Sequence, residues 1–191
     1  MPKQVLAGVD EAGRGALAGP VVACSVVFKK SFSLFDKIAD SKQLSEIKRY
    51  ALFDEMRPSI HLGIGIVSHR KINSINILEA TFLAMATALR KTPVMIDHAI
   101  IDGNKTPTTN ISCEAVIKAD ATVDQVKAAS ICAKVIRDRL MIKYHRIYST
   151  YGFDIHKGYG TRQHYNQLFN HGHCPIHRTS FNLNKQLTLF N

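Results

Sequence analysis

A single α/β domain is predicted by three observations. Short β-branched runs alternate with longer segments of helical periodicity, three of the runs end in a carboxylate, and no internal repeat or low-complexity linker divides the chain. The 191 residues are 46% hydrophobic and 21% charged, which suits one core and is too apolar for a disordered chain.

Residues 4–9 (QVLAGV) and 20–28 (PVVACSVVF), bounded by Gly and Pro, read as two strands joined by a glycine-rich turn. Residues 44–56 form a helix that stops before Pro58, and 61–68 (HLGIGIVS) form a third strand. The spacing then predicts a core helix over 74–91, with Ser74 as its N-cap and Ile75, Leu78, Phe82, Met85, Ala86 and Leu89 on one face. HAIID (98–102) and EAVIKAD (114–120) are short apolar runs, each ending in an aspartate. A long helix over 123–147 places Val126, Ala129, Ala133, Ile136, Leu140, Tyr144 and Ile147 on its buried stripe, and Ser130, Lys134 and Asp138 on the opposite flank. Thr161 caps a last short helix that stops near Gly172.

Lys and Arg number 25 against 15 Asp and Glu, a formal net charge of +10, so the surface attracts polyanions; nucleic acid is favoured over membrane because no basic amphipathic helix stands out. Cys24, Cys113, Cys132 and Cys174 are far apart, without CxxC spacing, and read as reduced thiols. The N-terminus lacks the pattern of a signal peptide, and PVVACSVVF is too short to span a bilayer, so a cytoplasmic location is expected.

QVLAGVDE, HAIID and AVIKAD deliver Asp10, Glu11, Asp102 and Asp120 to the ends of three segments, and α/β sheets place their sites at such ends. If these segments are neighbours, four hard oxygen ligands converge, a set that holds Mg²⁺ or Mn²⁺. Two such ions suit in-line hydrolysis of a phosphodiester. Taken singly, Asp102-Gly103 is also a turn signal, and Asp120 also a favourable charge near a helix start. Asp10-Glu11 resists such an account, since adjacent acids repel; the chain is expected to leave regular β geometry there, helped by Gly13 and Gly15. Gly13-Arg14-Gly15 brings backbone N–H groups and a bidentate guanidinium towards a phosphate, and Lys42 and Lys134 are further candidates for phosphate contacts. Tyr159, between Gly158 and Gly160, is either exposed for recognition or a half-buried loop anchor.

DEAGRG, DSKQLS, IIDGNK, KADA, AASICAKVIRDRLM, HKGYGTRQHY and HRTSF, in this order from about residue 5 to residue 181, closely resemble bacterial ribonuclease HII. The resemblance implies an RNase H-like fold, a central mixed β-sheet flanked by helices with a C-terminal helical segment, over residues 1–181, followed by a tail at 182–191. It implies endonucleolytic cleavage of the RNA strand of RNA-DNA hybrids and incision at single ribonucleotides in duplex DNA, leaving 5′-phosphate and 3′-hydroxyl ends. Asp10, Glu11 and Asp102 would be metal ligands and Asp120 the fourth catalytic acid. Gly13, Arg14 and Gly15 would read the 2′-hydroxyl at the RNA-to-DNA junction, and Tyr159 would stack on the deoxyribose beyond it. Asp138 is expected at most behind the cluster, paired with Lys134. Ribonuclease HIII carries an extra domain ahead of this motif, and the nine residues before Asp10 favour HII.

His171, His173, Cys174 and His177 fall close together, but no second ligand pair accompanies them, and the segment reads as structural rather than as a zinc site. Gln186 to Phe190 (QLTLF) looks like the pentapeptide by which bacterial replication and repair proteins bind the sliding clamp; Gln186, Leu187, Leu189 and Phe190 would be its contacts, and the alternative is a tail packed on its own domain. Two rivals predict different chemistry. A non-catalytic basic nucleic-acid-binding protein would be indifferent to chelator, and a DNA-only nuclease of similar fold would ignore an embedded ribonucleotide.

Overall fold

The structure is a computed structural model that describes residues 4–30, 32–39, 44–181 and 183. Its sheet has five strands in the order β3-β2-β1-β4-β5, formed by β1 (Leu6–Ala12), β2 (Val21–Phe28), β3 (Ile60–Val67), β4 (His98–Asp102) and β5 (Ser112–Val116). The glycine-rich turn after β1 reverses the chain, so β2 runs antiparallel to β1, and β3 antiparallel to β2. Return to the other edge of β1 in parallel register requires a crossover, supplied by helices α3 (His69–Ile75) and α4 (Ile77–Lys91). The runs that carry Asp10 and Asp102 are therefore adjacent parallel strands, β1 and β4, with β5 next to β4.

Alternation along the strands feeds two cores. Ala7, Val9, Val21, Ala23 and Val67 pack against Ala80, Ala84 and Ala88 of α4. On the other face, Ala12, Cys24 and Val26 meet Ala128, Ala129 and Cys132 of α6 (Asp124–Ile147), with Phe53 and Met56 of α2 (Glu46–Met56) alongside. Helix α1 (Phe35–Ala39) joins this second layer through Ile38. Contact between α6 and β1 is close enough that a Cβ on Gly8 would lie 2.2 Å from the Gln125 carbonyl carbon, so only glycine fits there.

Several expectations require correction. β1 does not end at Val9: antiparallel pairing with β2 carries it through Asp10 and Glu11 to Ala12, and the chain leaves β geometry only afterwards. The helix expected over 74–91 is two helices, broken at Asn76 (φ 66°), with Ser68 capping the first and the Asn76 carboxamide accepting from Leu78 and Glu79 to cap the second. Its buried face is Ala80, Thr81, Ala84, Met85, Ala88 and Leu89, while Leu78 is 37% exposed, because small residues let the helix lie close on the sheet and the large ones move to its flanks. EAVIKAD is not one strand: β5 ends at Val116, Lys118 turns through φ 59°, and Asp120 stands in the first turn of α5 (Ala119–Thr122).

The stripe predicted on α6 is correct only near its start. Val126, Ala129 and Ala133 are buried, but Ile147 is 68% exposed, and the supposed polar flank includes a buried Asp138. The reason is that α6 outruns the sheet. Its second half supports a C-terminal lobe in which Met141 packs with Ala18, Tyr151, Phe153, Cys174 and Ile176. That lobe contains α7 (Phe153–His156) and α8 (Arg162–His171), the latter capped by Thr161 and ended at Gly172 as its sequence predicts. Among the described residues, no helix is long and apolar enough to cross a membrane, and the four cysteines are free thiols. Lys42 and the tail residues Gln186, Leu187, Leu189 and Phe190 lie outside the described residues.

Candidate active site

Asp10 and Asp102 each follow the Val9–Ile101 pair on adjacent parallel strands, so the register itself places them side by side. Asp10 is buried; its Oδ1 accepts the Glu11 N–H at 2.7 Å, and the Ser130 hydroxyl of α6 bonds to its side chain. Glu11 Oε1 accepts from Arg14 Nη1 at 3.2 Å. Glu11 Oε2 and Asp102 Oδ1 are buried with no hydrogen-bond partner among the described residues.

Charge is expensive here. Burial first, then the neighbouring Glu11, pushes the Asp10 carboxyl up from 3.8 to about 8. Burial also pushes Glu11 up, with Arg14 opposing and Asp102 adding to the rise. Buried carboxylate oxygens without donors, crowded by like charge, make a hard donor set that fits a divalent cation. The side chains converge without closing, for no three Asp, Glu, His or Cys residues among those described form a finished metal cage.

The loop after β1 is built on two arginines that sequence reasoning missed. Arg137 is fully buried and donates from Nε to the Pro20 carbonyl (3.1 Å) and from Nη2 to that of Ala18 (3.2 Å). Arg178, also fully buried, donates from Nε to Gly19 (3.0 Å) and from Nη1 to Arg14 (2.9 Å). Four loop carbonyls are thereby held by two guanidiniums. Burial lowers Arg178 to about 9 and pulls Arg137 down as well. Gly13, at φ 97°, is required twice over, since a Cβ there would lie 1.9 Å from Arg137 Nε. Arg14 and Gly15 are left exposed at the tip.

Tyr159 lies against this loop through the Ala16–Tyr159 bridge and the bond from Leu17 N–H to the Gly158 carbonyl (2.8 Å). Its half-buried ring has the Arg137 guanidinium carbon 5.0 Å and Lys134 Nζ 5.4 Å from its centroid. A cavity of about 450 Å³ brings these parts together, with Glu11 and Asp120 beside Arg14, Arg49, Lys127, Lys134 and Tyr159. Cations and acids are interleaved along this lining, with Arg14 paired to Glu11, and the excess of cations suits a phosphodiester. Lys134 also pairs with Asp138 at 2.8 Å, so its charge is shared between the helix and the cavity. His171 and His173 are exposed, while His177 turns inward to His164.

The sequence profile of the ribonuclease HII family matches residues 7–184. A relative named ribonuclease HII from Clostridioides difficile is 46% identical over 177 residues, covering 92% of this chain and 69% of its own. Among solved structures, the ribonuclease H2 of Pyrococcus horikoshii superposes with a TM-score of 0.77 at 27% identity, over 97% of each chain. The RNase HII of a PCNA:RNase HII complex from Archaeoglobus fulgidus does so with a TM-score of 0.75 at 27% identity, over 92% of this chain and 94% of that one.

Proposed function

Because the chain belongs to the ribonuclease HII family, and is thus a ribonuclease H endonuclease dependent on divalent metal, we propose that it cuts the RNA strand of RNA-DNA hybrids and incises duplex DNA at single embedded ribonucleotides. The observation that carries this reading is the group of carboxylates formed by buried Asp10 and half-buried Glu11 and Asp102, two of whose buried oxygens lack donors among the described residues, next to a loop pinned by Arg137 and Arg178.

Asp10, Glu11 and Asp102 would hold Mg²⁺ or Mn²⁺, with Asp120 as the fourth acid on the cavity wall. Two such ions, when bound, lower the pKa of the attacking water and stabilise the leaving 3′-oxygen, so the products carry 5′-phosphate and 3′-hydroxyl ends. Ser130 holds Asp10 in place. Gly13, Arg14 and Gly15 read the 2′-hydroxyl of the ribonucleotide, a group that DNA lacks. Arg137 and Arg178 keep that loop in one conformation before substrate arrives, which lowers the ordering cost of recognition. Tyr159, over two cations, stacks on the deoxyribose past the junction, and Lys42, Arg49 and Lys127 attract backbone phosphates.

The tail residues Gln186, Leu187, Leu189 and Phe190 would bind the replication sliding clamp; a relative of similar fold is recorded in complex with PCNA. The free thiols and basic charge are in keeping with a cytoplasmic enzyme acting on nucleic acid.

The test is cleavage of duplex DNA containing one ribonucleotide, with Mg²⁺ or Mn²⁺ and with EDTA. Cleavage 5′ to the ribonucleotide, abolished by EDTA and reduced at least about a thousandfold in Asp10→Asn and Asp102→Asn while hybrid binding persists, is expected. Activity surviving both substitutions would defeat the carboxylate reading, and equal cutting of the all-DNA duplex would defeat the substrate reading.

A further inference from the structure

Three histidines in the C-terminal lobe take no part in the cavity. His156, His164 and His177 are 7%, 0% and 1% exposed. His156 stacks on His164 with ring centroids 4.4 Å apart, and His164 lies 5.2 Å from His177. Phe153 covers all three.

Their hydrogen bonds fix every tautomer. His177 Nδ1 lies 2.9 Å from the Cys174 nitrogen and 3.2 Å from the Cys174 carbonyl oxygen, and the next ring decides between them. His164 Nδ1 faces the Tyr159 carbonyl (3.0 Å), which can only accept, so His164 keeps its proton there. Its Nε2 must then accept from His177 Nε2–H (2.9 Å), and His177 Nδ1 accepts from the Cys174 N–H. The Gly158 N–H donates to His156 Nδ1 (3.2 Å), and His156 Nε2–H donates to the Tyr151 carbonyl (2.6 Å). Each ring holds one proton, and every ring nitrogen is used. An extra proton on His164 Nε2 would set N–H against N–H at 2.9 Å. Burial also lowers all three rings, His164 to about 3 and His177 to about 4, in keeping with neutral imidazoles.

Two of these bonds end on the backbone at Gly158 and Tyr159, the segment that carries the recognition tyrosine. We propose that the His177–His164 relay, with His156 beside it, is a positioning device that fixes the Tyr159 main chain, and that His164 sets substrate recognition through Tyr159 without touching substrate. The proposal rests on the reading of Tyr159 given above.

Two substitutions separate the halves of the relay. In His164→Asn the carboxamide nitrogen can replace Nδ1–H towards the Tyr159 carbonyl; in His164→Gln the carboxamide oxygen can replace Nε2 towards His177. These variants are compared with Tyr159→Ala, and with the double variant His164→Gln/Tyr159→Ala, on the duplex carrying one ribonucleotide. H164Q is expected to raise KM about tenfold with kcat changed less than about threefold, as Y159A does, and H164N to restore most of the loss. The double variant should match Y159A alone, since a residue acting only through Tyr159 has nothing left to lose once the ring is gone. Effects that multiply in the double variant, or equal losses in H164N and H164Q, would overturn the relay while leaving the Tyr159 reading intact. An unchanged KM in Y159A would remove that reading and the relay with it. Nitrogen-15 NMR of the wild-type imidazoles at neutral pH requires no variant to fold. Protons on Nδ1 of His164 and on Nε2 of His156 and His177 are expected, and inverted or doubly protonated rings would overturn the proposal.

Discussion

Among the described residues Arg178 forms no ion pair with a carboxylate, and it spends its charge on the carbonyls of Gly19 and Arg14. A lysine could satisfy at most one of them in that geometry, leaving the other buried and unpaired. Arg178→Lys should therefore lower stability by about 2 kcal/mol, read by thermal denaturation, with a larger proportional loss of cleavage than the surface change Arg90→Lys. A neutral result would mean that the loop holds its shape without the guanidinium. Arg178 and Arg137 were invisible in the sequence because an arginine in a helix or near a terminus is ordinarily solvated, and nothing local marks one that faces distant carbonyls. Asp10 and Asp102 were legible for the opposite reason. Acids at the ends of β-branched runs are costly wherever those runs pair, so the pattern itself calls for a cation. Ser130 was legible only as part of a polar flank, since nothing local marks a hydroxyl that meets a carboxylate on another element.

At the level of elements, the break at Asn76 shows how far periodicity reaches. The apolar spacing runs unbroken from Ile75 into α4, yet the chain passes through φ 66° at Asn76 and restarts with the carboxamide capping Leu78 and Glu79. Asparagine is tolerated at positive φ and is a strong N-cap, so one residue both ends α3 and begins α4. Asn76→Ala loses the cap and strains the backbone, and should destabilise by about 2 kcal/mol; Asn76→Gly keeps the φ freedom and should lose about half of that. Denaturant midpoints separate them, and equal losses would show that backbone strain contributes nothing. The strand order was legible only as far as three carboxylate-bearing runs suggested neighbours. Continuation of β1 to Ala12 was not, because it depends on pairing with β2 rather than on any preference of Asp10 or Glu11. Likewise the stripe of α6 changes partner halfway, from sheet to C-terminal lobe, and no single helical period describes two partners.

For the molecule as a whole, the C-terminal lobe ties stability to pH. The rings of His164 and His177 are held neutral down to about 3 and about 4, against an ordinary value of 6.5, and His156 is lowered too. Between these limits the unfolded chain binds protons that the folded lobe refuses, so the stabilisation is full above pH 6.5 and declines as pH falls towards 4. The charged groups around them bear on its size: Asp154 favours the charged form of His156, Lys157 opposes it, and His173 and His69 oppose charging of His177. Melting temperature should fall steadily over that window and fall less in a His177→Gln variant; a flat profile would mean that the rings are not neutral in the fold. The net charge of +10 extends into the cavity of about 450 Å³, which cations from α2, α6 and the loop after β1 line together with Glu11 and Asp120.

Whether the crowded acids at the ends of β1 and β4 exist to hold a divalent ion is tested most directly by equilibrium Mn²⁺ binding, followed by electron paramagnetic resonance at neutral pH, in the wild-type protein and in Asp102→Asn. Saturable binding by the wild type, weakened at least about tenfold by the loss of one carboxylate, is the expected result. Equal affinity in the two proteins would contradict it.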